Sequence, residues 1–490
     1  MIRATQKIHH DCDVLIVGGG PAGSSLAYHL ATAGIRTIVL EAKQFPRDKI
    51  CGDGVSPIAL RELQTIGITE TDGFMQANEI DQVGMFMNGV QAHVALEKPE
   101  GLPYHARIIP RITLDAMIYE SAKKANAVYY ENCRVTDYTV LANKVVITYV
   151  KDNKEGQLTA QLVVGADGSR SIIGRRLRGN SPDPTYQLLG LRAYYEGVNG
   201  PRNRVDIYFS EENFPGIYWL FPKGERGANV GMAMVFQTFP QQASAVRQCF
   251  ANHIANNPFL NERLGSAKAT EKMQGWPITF YDARNPLIGD RVLLAGEAAG
   301  LINPLSGDGI QYALLSARWA AETIVDCLSQ NDYSLAALKS YRLKLEKELA
   351  YDFSMSNLLV QFGRNKTLTP LWMSLMKRVI TIAKDDPSFA TTIAGIFEGT
   401  YPSYKVLSPN ILLKILQQTG LDAQAYLLKN LEHPDQFAKD GALLADGARS
   451  GIQEFIKDPK VYFQWLLGIA GKGIGVAAHT AKAQAKQGTH

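Results

Sequence analysis

A chain of 490 residues that is 46% hydrophobic and 20% charged can build two or three domains around substantial cores, which excludes a disordered chain. Its formal net charge of +4 is small for that length and makes no case for nucleic acid as a partner. Five cysteines without C-x-x-C spacing argue against a metal site or a disulfide framework, and a polar start without a secretory signal adds to the expectation of a cytoplasmic protein.

The pair His9-His10 has no further ligands nearby and is not a metal site. The first ordered element is Asp13 to Val17, a short β-rich apolar run. Gly18-Gly19-Gly20-Pro21-Ala22-Gly23 follows with G-x-G-x-x-G spacing, and Ser24 to Ala33 reads as the helix behind it. Gly18 permits the tight turn, Gly20 lets backbone approach a pyrophosphate, and Gly23 lets the helix lie close to the sheet. The next strand, Thr37 to Leu40, ends at Glu41, about 20 residues past the glycines, where a carboxylate accepts hydrogen bonds from ribose hydroxyls. This unit binds a dinucleotide, and by itself it does not separate FAD from NAD.

Phe45 to Pro57 is bounded by glycine and proline without a sustained period and reads as a functional loop, and Ile58 to Leu63 begins a helix. The alternation from Gln82 to Leu96 predicts a hairpin turning at Asn88-Gly89. A helix is expected from Arg111 to Lys124, then strands at Ala127 to Tyr130 and Lys144 to Val150. Leu162 to Ser171 reads as a buried strand running into a second glycine turn, Gly165-Ala166-Asp167-Gly168, and a basic helix. From Leu188 to Phe236 the aromatic and β-branched content predicts an antiparallel sheet. Trp276 to Phe280 precedes the strand Arg291 to Ala295, which runs into Gly296-Glu297 and then Gly307-Asp308-Gly309-Ile310, the start of a long helix. Beyond it the pattern is helical, with amphipathic runs at Ala317 to Leu328, Tyr341 to Phe362 and Leu412 to Leu431. Val461 to Ala478 is apolar but interrupted by Gln464 and Lys472, so it packs on the body or rests on a membrane surface rather than spanning one. The lysines Lys457, Lys460, Lys472, Lys482 and Lys486 read as a solvated face.

The N-terminal glycine loop, Gly165 to Ser171 and Gly289 to Ile310 together resemble the FAD-dependent family that includes p-hydroxybenzoate hydroxylase, flavin-dependent halogenases and geranylgeranyl reductases. Within it, Pro46-Arg47-Asp48-Lys49-Ile50-Cys51-Gly52-Asp53-Gly54 is most similar to the geranylgeranyl reductase signature P-x-x-K-x-C-G-x-G. Pro215 to Pro222 resembles the reductases' substrate motif, but Ile217 stands where that motif keeps a tyrosine, with Tyr218 beside it. The family aspartate on the flavin ribityl chain is Glu297 here, which moves the carboxylate by about one bond length and keeps its charge.

The resemblance implies an α/β fold: a Rossmann-type FAD-binding domain with an inserted antiparallel substrate sheet and a helical C-terminal region. Residues 11–80, 106–185 and 281–330 are expected in the FAD-binding domain, 81–105 as a substrate-domain hairpin, 186–280 as the substrate sheet and 331–490 as the helical region. Expected FAD contacts are Gly18, Gly20, Ala22, Gly23, Glu41, Arg111, Asp167, Gly296, Glu297, Pro304, Gly307, Gly309 and Ile310. Cys51, Lys49 and Asp53 are the expected catalytic residues, with Tyr218, Trp219 and Phe221 as an apolar substrate wall. A cysteine near positive charge can be reactive through a lowered pKa, or it can be a small buried hydrophobe; Arg47 and Lys49 can be solvated loop charges, and Asp53 a cap of the following helix.

The implied activity is reduction of carbon–carbon double bonds in a prenyl or similarly apolar substrate, by hydride from flavin N5 and a proton from Cys51. The alternatives are an oxygen-using monooxygenase or halogenase on the same scaffold, and a non-catalytic prenyl-binding protein. Gly468, Gly471, Gly473 and Gly475 follow no strand, so no second dinucleotide fingerprint exists, and the electron donor is NADPH or a separate reductase or ferredoxin.

Overall fold

The computed structural model describes residues 10–235, 243–430, 468–473 and 476, apart from 88, 99, 103 and 104. His9, Asn88, Phe236, Leu431, Gly475, Lys457, Lys460, Lys482, Lys486 and most of Val461 to Ala478 therefore lie outside the described residues.

The strand Val14–Val17 pairs in parallel with Leu162–Gly165 on one side and Thr37–Leu40 on the other. Val292–Leu294 and Val128–Tyr130 extend this sheet in parallel at the two sides, and Ile288–Gly289 adds an antiparallel edge. Chain order reverses around the first strand, and such a switch point leaves a crevice at the strands' carboxyl ends. Val14, Leu15, Ile16 and Val163 are buried because helices cover the sheet, which is why these strands read as continuous apolar runs. The helix Pro21–Thr32 packs on Ile310–Gln330 and Arg111–Lys124.

The second large sheet contains the hairpin Gln82–Met87 and Val90–Ala95, with Met87 opposite Val90 as a two-residue turn requires. The hairpin joins the antiparallel strands Gln187–Glu196, Arg204–Tyr208, Gly216–Lys223 and Gly227–Val235 through a parallel pairing of Gln82–Met87 with Arg204–Tyr208. Gln274–Thr279 and Lys268–Ala269 add to the far edge. One face packs on the helices Ala243–Asn256 and Pro258–Leu264, through Tyr208, Tyr218, Leu220, Met232 and Phe250. On the other, Met85, Val94 and Ile207 meet the C-terminal helices Thr369–Asp385 and Pro387–Glu398.

Two small sheets complete the fold, and of their strands only Val145–Lys151 was expected, at Lys144 to Val150. Arg134–Val140, Val145–Lys151 and Lys154–Ala160 form an antiparallel meander. The loop after Phe45 ends in the short strand Gly54–Val55, which pairs with Ala106–Ile108, itself paired with Asn78–Ile80. Ser56, not Asp53, caps the helix Pro57–Thr65, its Oγ accepting the Ala59 N–H at 3.3 Å. Lys472 is not on a solvated face: its ammonium is buried 4.9 Å from the Tyr186 ring, and burial with Arg364 nearby pushes its pKa down to about 7.

Candidate active site

Three glycine-bearing turns meet at the carboxyl ends of three adjacent parallel strands. Gly18 has φ +98°, and a Cβ there would lie 2.5 Å from the carbonyl oxygen of Ala166, so the first turn lies directly on the second. A Cβ at Gly23 would lie 1.8 Å from the Gly18 oxygen, the close helix-to-strand approach expected of the third glycine. Gly296 N–H donates to Ser316 Oγ at 3.0 Å, and a Cβ on Gly296 would fall 2.8 Å from the Ala22 methyl, so the third turn rests on the first helix. The Ala295 N–H donates to the Gly165 oxygen (2.9 Å), closing the arrangement.

At Gly20 the opposite holds. A Cβ there would meet nothing nearer than Arg47 Nη2, at 3.8 Å, so the N-terminus of Pro21–Thr32 is open beneath a guanidinium and fits a pyrophosphate. Glu41 accepts the N–H groups of Gly19 (2.9 Å) and Lys43 (3.0 Å) and pairs with Arg47 (3.2 Å). Arg47 continues to Asp115 (2.9 Å), which holds Arg111 in a two-point bridge at 2.6 and 2.8 Å. Neither Arg47 nor Arg111 is a free surface charge. Further along, Glu297 Oε2 lies 3.6 Å from Lys49 Nζ and Oε1 accepts the Thr279 N–H at 3.3 Å. Lys49 sits 5.2 Å from the Trp276 ring, whose indole N–H donates to Ser169 at 2.7 Å. The loop lysine, the second turn and the third turn therefore share one locus.

Among the described residues, Asp167 Oδ1 and Asp308 Oδ2 are buried without a hydrogen-bond partner. Burial raises the pKa of both carboxyls, that of Asp308 to about 7. Asp308 precedes the helix Ile310–Gln330, between Gly309 and Gly307, and a Cβ on Gly307 would meet nothing within 4 Å. Pro304 is buried in the loop before it. Open backbone at two helix starts and two unpartnered carboxyl oxygens fit a long dinucleotide with a polyhydroxyl middle.

The loop Arg47 to Gly54 lies on one face of the antiparallel sheet, and strand register explains what it meets. Tyr194, Asn229 and Phe221 stand in one row across three strands, and Arg192, Gly231 and Trp219 in the next. A Cβ on Gly231 would be 2.2 Å from the Trp219 ring, so only glycine lets the indole lie across that strand. Gly52 faces the wall, its Cβ position 3.2 Å from Phe221 Cε2. Arg192, fully buried, pairs with Asp48 of the loop and with Glu271. Asp53 is also fully buried, in the left-handed region at φ +67°. Its Oδ2 accepts from Tyr194 Oη (2.7 Å) and Asn229 Nδ2 (2.8 Å), and its Oδ1 from the Arg111 N–H (3.3 Å). Burial still prevails over these bonds and pushes the Asp53 carboxyl up to about 6.

One sequence expectation is corrected here and one open alternative is decided. Tyr218 does not share the wall with Trp219: successive strand residues point to opposite faces, and Tyr218 stacks on His253 of the helix Ala243–Asn256 with ring centroids 3.4 Å apart. Ile217 is the neighbour of Trp219 that shares its face, packing with Phe221 against the C-terminal helices. The second concerns Cys51, whose thiol pKa is raised, because burial outweighs the pull of Arg111. It is a held proton, not a standing thiolate. Asn229, Tyr194 and Arg192 escaped sequence reading altogether; the available signal was a lone amide in the apolar run Ala228 to Val235.

A dinucleotide cradle opening onto a sheet that carries an apolar wall and a protonated thiol is the architecture of an FAD-dependent oxidoreductase. Residues 11–343 match the FAD binding domain family, and the chain belongs to it, with FAD as its cofactor. It is 31% identical over 353 residues to the menaquinone reductase of Mycolicibacterium smegmatis, spanning 71% of this chain and 83% of that protein. It is 30% identical over 349 residues to digeranylgeranylglycerophospholipid reductase 1 of Methanopyrus kandleri, spanning 70% of this chain and 88% of the relative. A geranylgeranyl bacteriochlorophyll reductase-like protein of Thermoplasma acidophilum shares the fold, with a TM-score of 0.71 at 22% identity over 83% of this chain and 99% of that one.

Proposed function

We propose that the protein reduces carbon–carbon double bonds in a prenyl or similarly apolar chain. The observation that carries this reading is the loop Cys51-Gly52-Asp53 laid against the apolar wall, with the Gly52 Cβ position 3.2 Å from Phe221 Cε2 and the Cys51 carbonyl bonded to Asn229, so that a thiol stands beside that wall's edge. An unpolarised alkene needs a hydride at one carbon and a proton at the other. Bound reduced FAD supplies the hydride. The chain's own residues hold the alkene on Ile217, Trp219 and Phe221, exclude water, and pass the Cys51 Sγ proton to the second carbon. The thiolate left behind faces Arg111 and regains its proton from solvent. Gly18, Gly20, Ala22 and Gly23 would hold the pyrophosphate with Arg47, Glu41 the ribose, Glu297 and Asp167 the ribityl hydroxyls, and Gly307, Gly309 and Ile310 the ring end. Lys49 would keep Glu297 in place. The names of the two reductase relatives support a polyprenyl-bearing substrate.

Electrons come from outside the chain, from NADPH or a reductase or ferredoxin. None of the helices among the described residues is long and apolar enough to cross a membrane, while Leu412, Leu413 and Leu416 are exposed on the helix Pro409–Asn430. Contact with a lipid surface through those leucines is part of this reading, and flotation with vesicles tests it. Anaerobic turnover of dithionite-reduced enzyme with a polyprenyl substrate, followed by mass spectrometry for a gain of two hydrogens per bond, tests the activity. A strict requirement for oxygen would replace it with the monooxygenase or halogenase reading.

A further inference from the structure

Asn229 is a fully buried amide in the middle of the strand Gly227–Val235. A buried amide is costly unless its donors and acceptor are used, and here all are. Its Oδ1 accepts the Trp219 indole N–H at 2.9 Å, and its Nδ2 donates to the Cys51 carbonyl at 2.7 Å and to Asp53 Oδ2 at 2.8 Å. An indole only donates and a carbonyl only accepts, so exchanging the amide's oxygen and nitrogen would break every one of these bonds. The side chain has one possible orientation, and in it one amide ties the aromatic wall to both ends of Cys51-Gly52-Asp53.

We propose that Asn229 is the positioning residue for the proton donor, fixing the Cys51 loop to the sheet by tying the Cys51 carbonyl and the Asp53 carboxyl to the Trp219 indole, while the thiol packs against the cluster of Val55, Ile310 and Leu314 beside Arg111. The backbone needs such a hold, because Asp53 occupies the left-handed region without being glycine. The charged groups facing Cys51 and Asp53 are Arg111 from the helix Arg111–Lys124, Lys49 in the loop and Arg192 on the strand Gln187–Glu196; Tyr194 on the same strand supplies a phenol. The neutral amide adds hydrogen bonds to this ring of cations without adding charge. Asn229→Asp keeps the size and the acceptor for Trp219, but sets a second carboxylate against Asp53 Oδ2. The two carboxyls share a proton until the pH rises; once it is lost, in the alkaline range where a raised thiol titrates, the pair carries one negative charge more than the parent and disfavours the Cys51 thiolate.

The role assigned to Asn229 rests on Cys51 being the proton donor, so its test avoids turnover. Alkylation of Cys51 by iodoacetamide in the FAD-loaded full chain, followed by peptide mass spectrometry against pH, reads the thiol titration directly. Asn229→Asp should move the midpoint up by about half a pH unit or more, and the exchange Asp53→Asn with Asn229→Asp should return it towards the parent. Asn229→Ala should release the loop and raise the alkylation rate about tenfold at matched thiolate fraction. Flavin absorbance and melting temperature verify that each variant is folded and loaded. Folded variants whose midpoint and rate match the parent's would overturn the proposal and leave Asn229 as sheet packing. Turnover of Cys51→Ala tests the donor reading separately.

Discussion

Replacing Asp53 by asparagine probes the buried carboxyl with almost no change of shape, and the effect can be worked out from its surroundings. The carboxyl moves from its ordinary 3.8 up to about 6 because burial outweighs the bonds from Asn229 and Tyr194. A folded-state pKa above the unfolded one means that the folded chain binds the proton more tightly. The stabilisation is complete below about pH 4 and is lost as the pH rises through about 6. A shift of about 2 units at roughly 1.4 kcal/mol each makes ionised Asp53 a burden of about 3 kcal/mol at pH 7.5. Asparagine carries no such charge, keeps one oxygen for Tyr194 and Asn229, and tolerates the left-handed backbone. It presents a donor to the Arg111 N–H, which costs about 1 kcal/mol at every pH. Relative to the parent, Asp53→Asn should be about 1 kcal/mol less stable at pH 4 and about 2 kcal/mol more stable at pH 7.5. Urea unfolding followed by tryptophan fluorescence at a series of pH values reads the difference. Parallel curves for parent and variant across that window would refute the reasoning.

Gly20→Val should fold and yet purify colourless, because its side chain enters the open space beneath Arg47, whereas Gly23→Ala should lose folded protein, since its Cβ would lie 1.8 Å from the Gly18 oxygen; absorbance near 450 nm and solubility separate the two. Glu297→Ala should weaken FAD binding by roughly 1–3 kcal/mol while Glu297→Asp has a mild effect, measured by titrating apoprotein with FAD; equal affinity for the alanine variant removes Glu297 from the cofactor. Cys51→Ala should lower turnover about 100-fold with flavin content unchanged, serine being intermediate, and product formed with dithionite in deuterated buffer should carry two solvent-derived hydrogens per reduced bond, because the N5 hydrogen of reduced flavin exchanges with solvent as the thiol's does. Tyr218→Phe should leave turnover alone, as its hydroxyl faces Cys249 at 3.7 Å on the far side of the sheet, while Trp219→Ala raises KM. A Tyr218→Phe variant with impaired turnover would show that this face also serves the reaction.

Sequence by itself determined the features that live within a few residues of one another. The glycine spacing after Val17, the acid closing Leu40, the Asn88-Gly89 hairpin and the long helix after Gly309 are local, because turn geometry and hydrophobic period act over one element at a time. The small sheet that ends the Cys51 loop was hidden for the opposite reason, as its three strands are two or three residues long and are separated by other elements. Tyr218 and Trp219 were grouped in one wall from the sequence, although adjacent strand residues point apart, and the packing of the helix Ala243–Asn256 decided that Tyr218 is the one facing away from the loop. The sequence left two readings of Cys51 open, a thiol lowered by adjacent positive charge or a small buried residue, and the burial that raises its pKa is a property of the assembled site. Asp53 meets Tyr194 and Asn229 across 141 and 176 residues of chain, and no local pattern encodes such contacts. Tertiary structure decided them, because hydrogen bonds and desolvation depend on which surfaces meet in space, and that is set when the sheet closes over the loop.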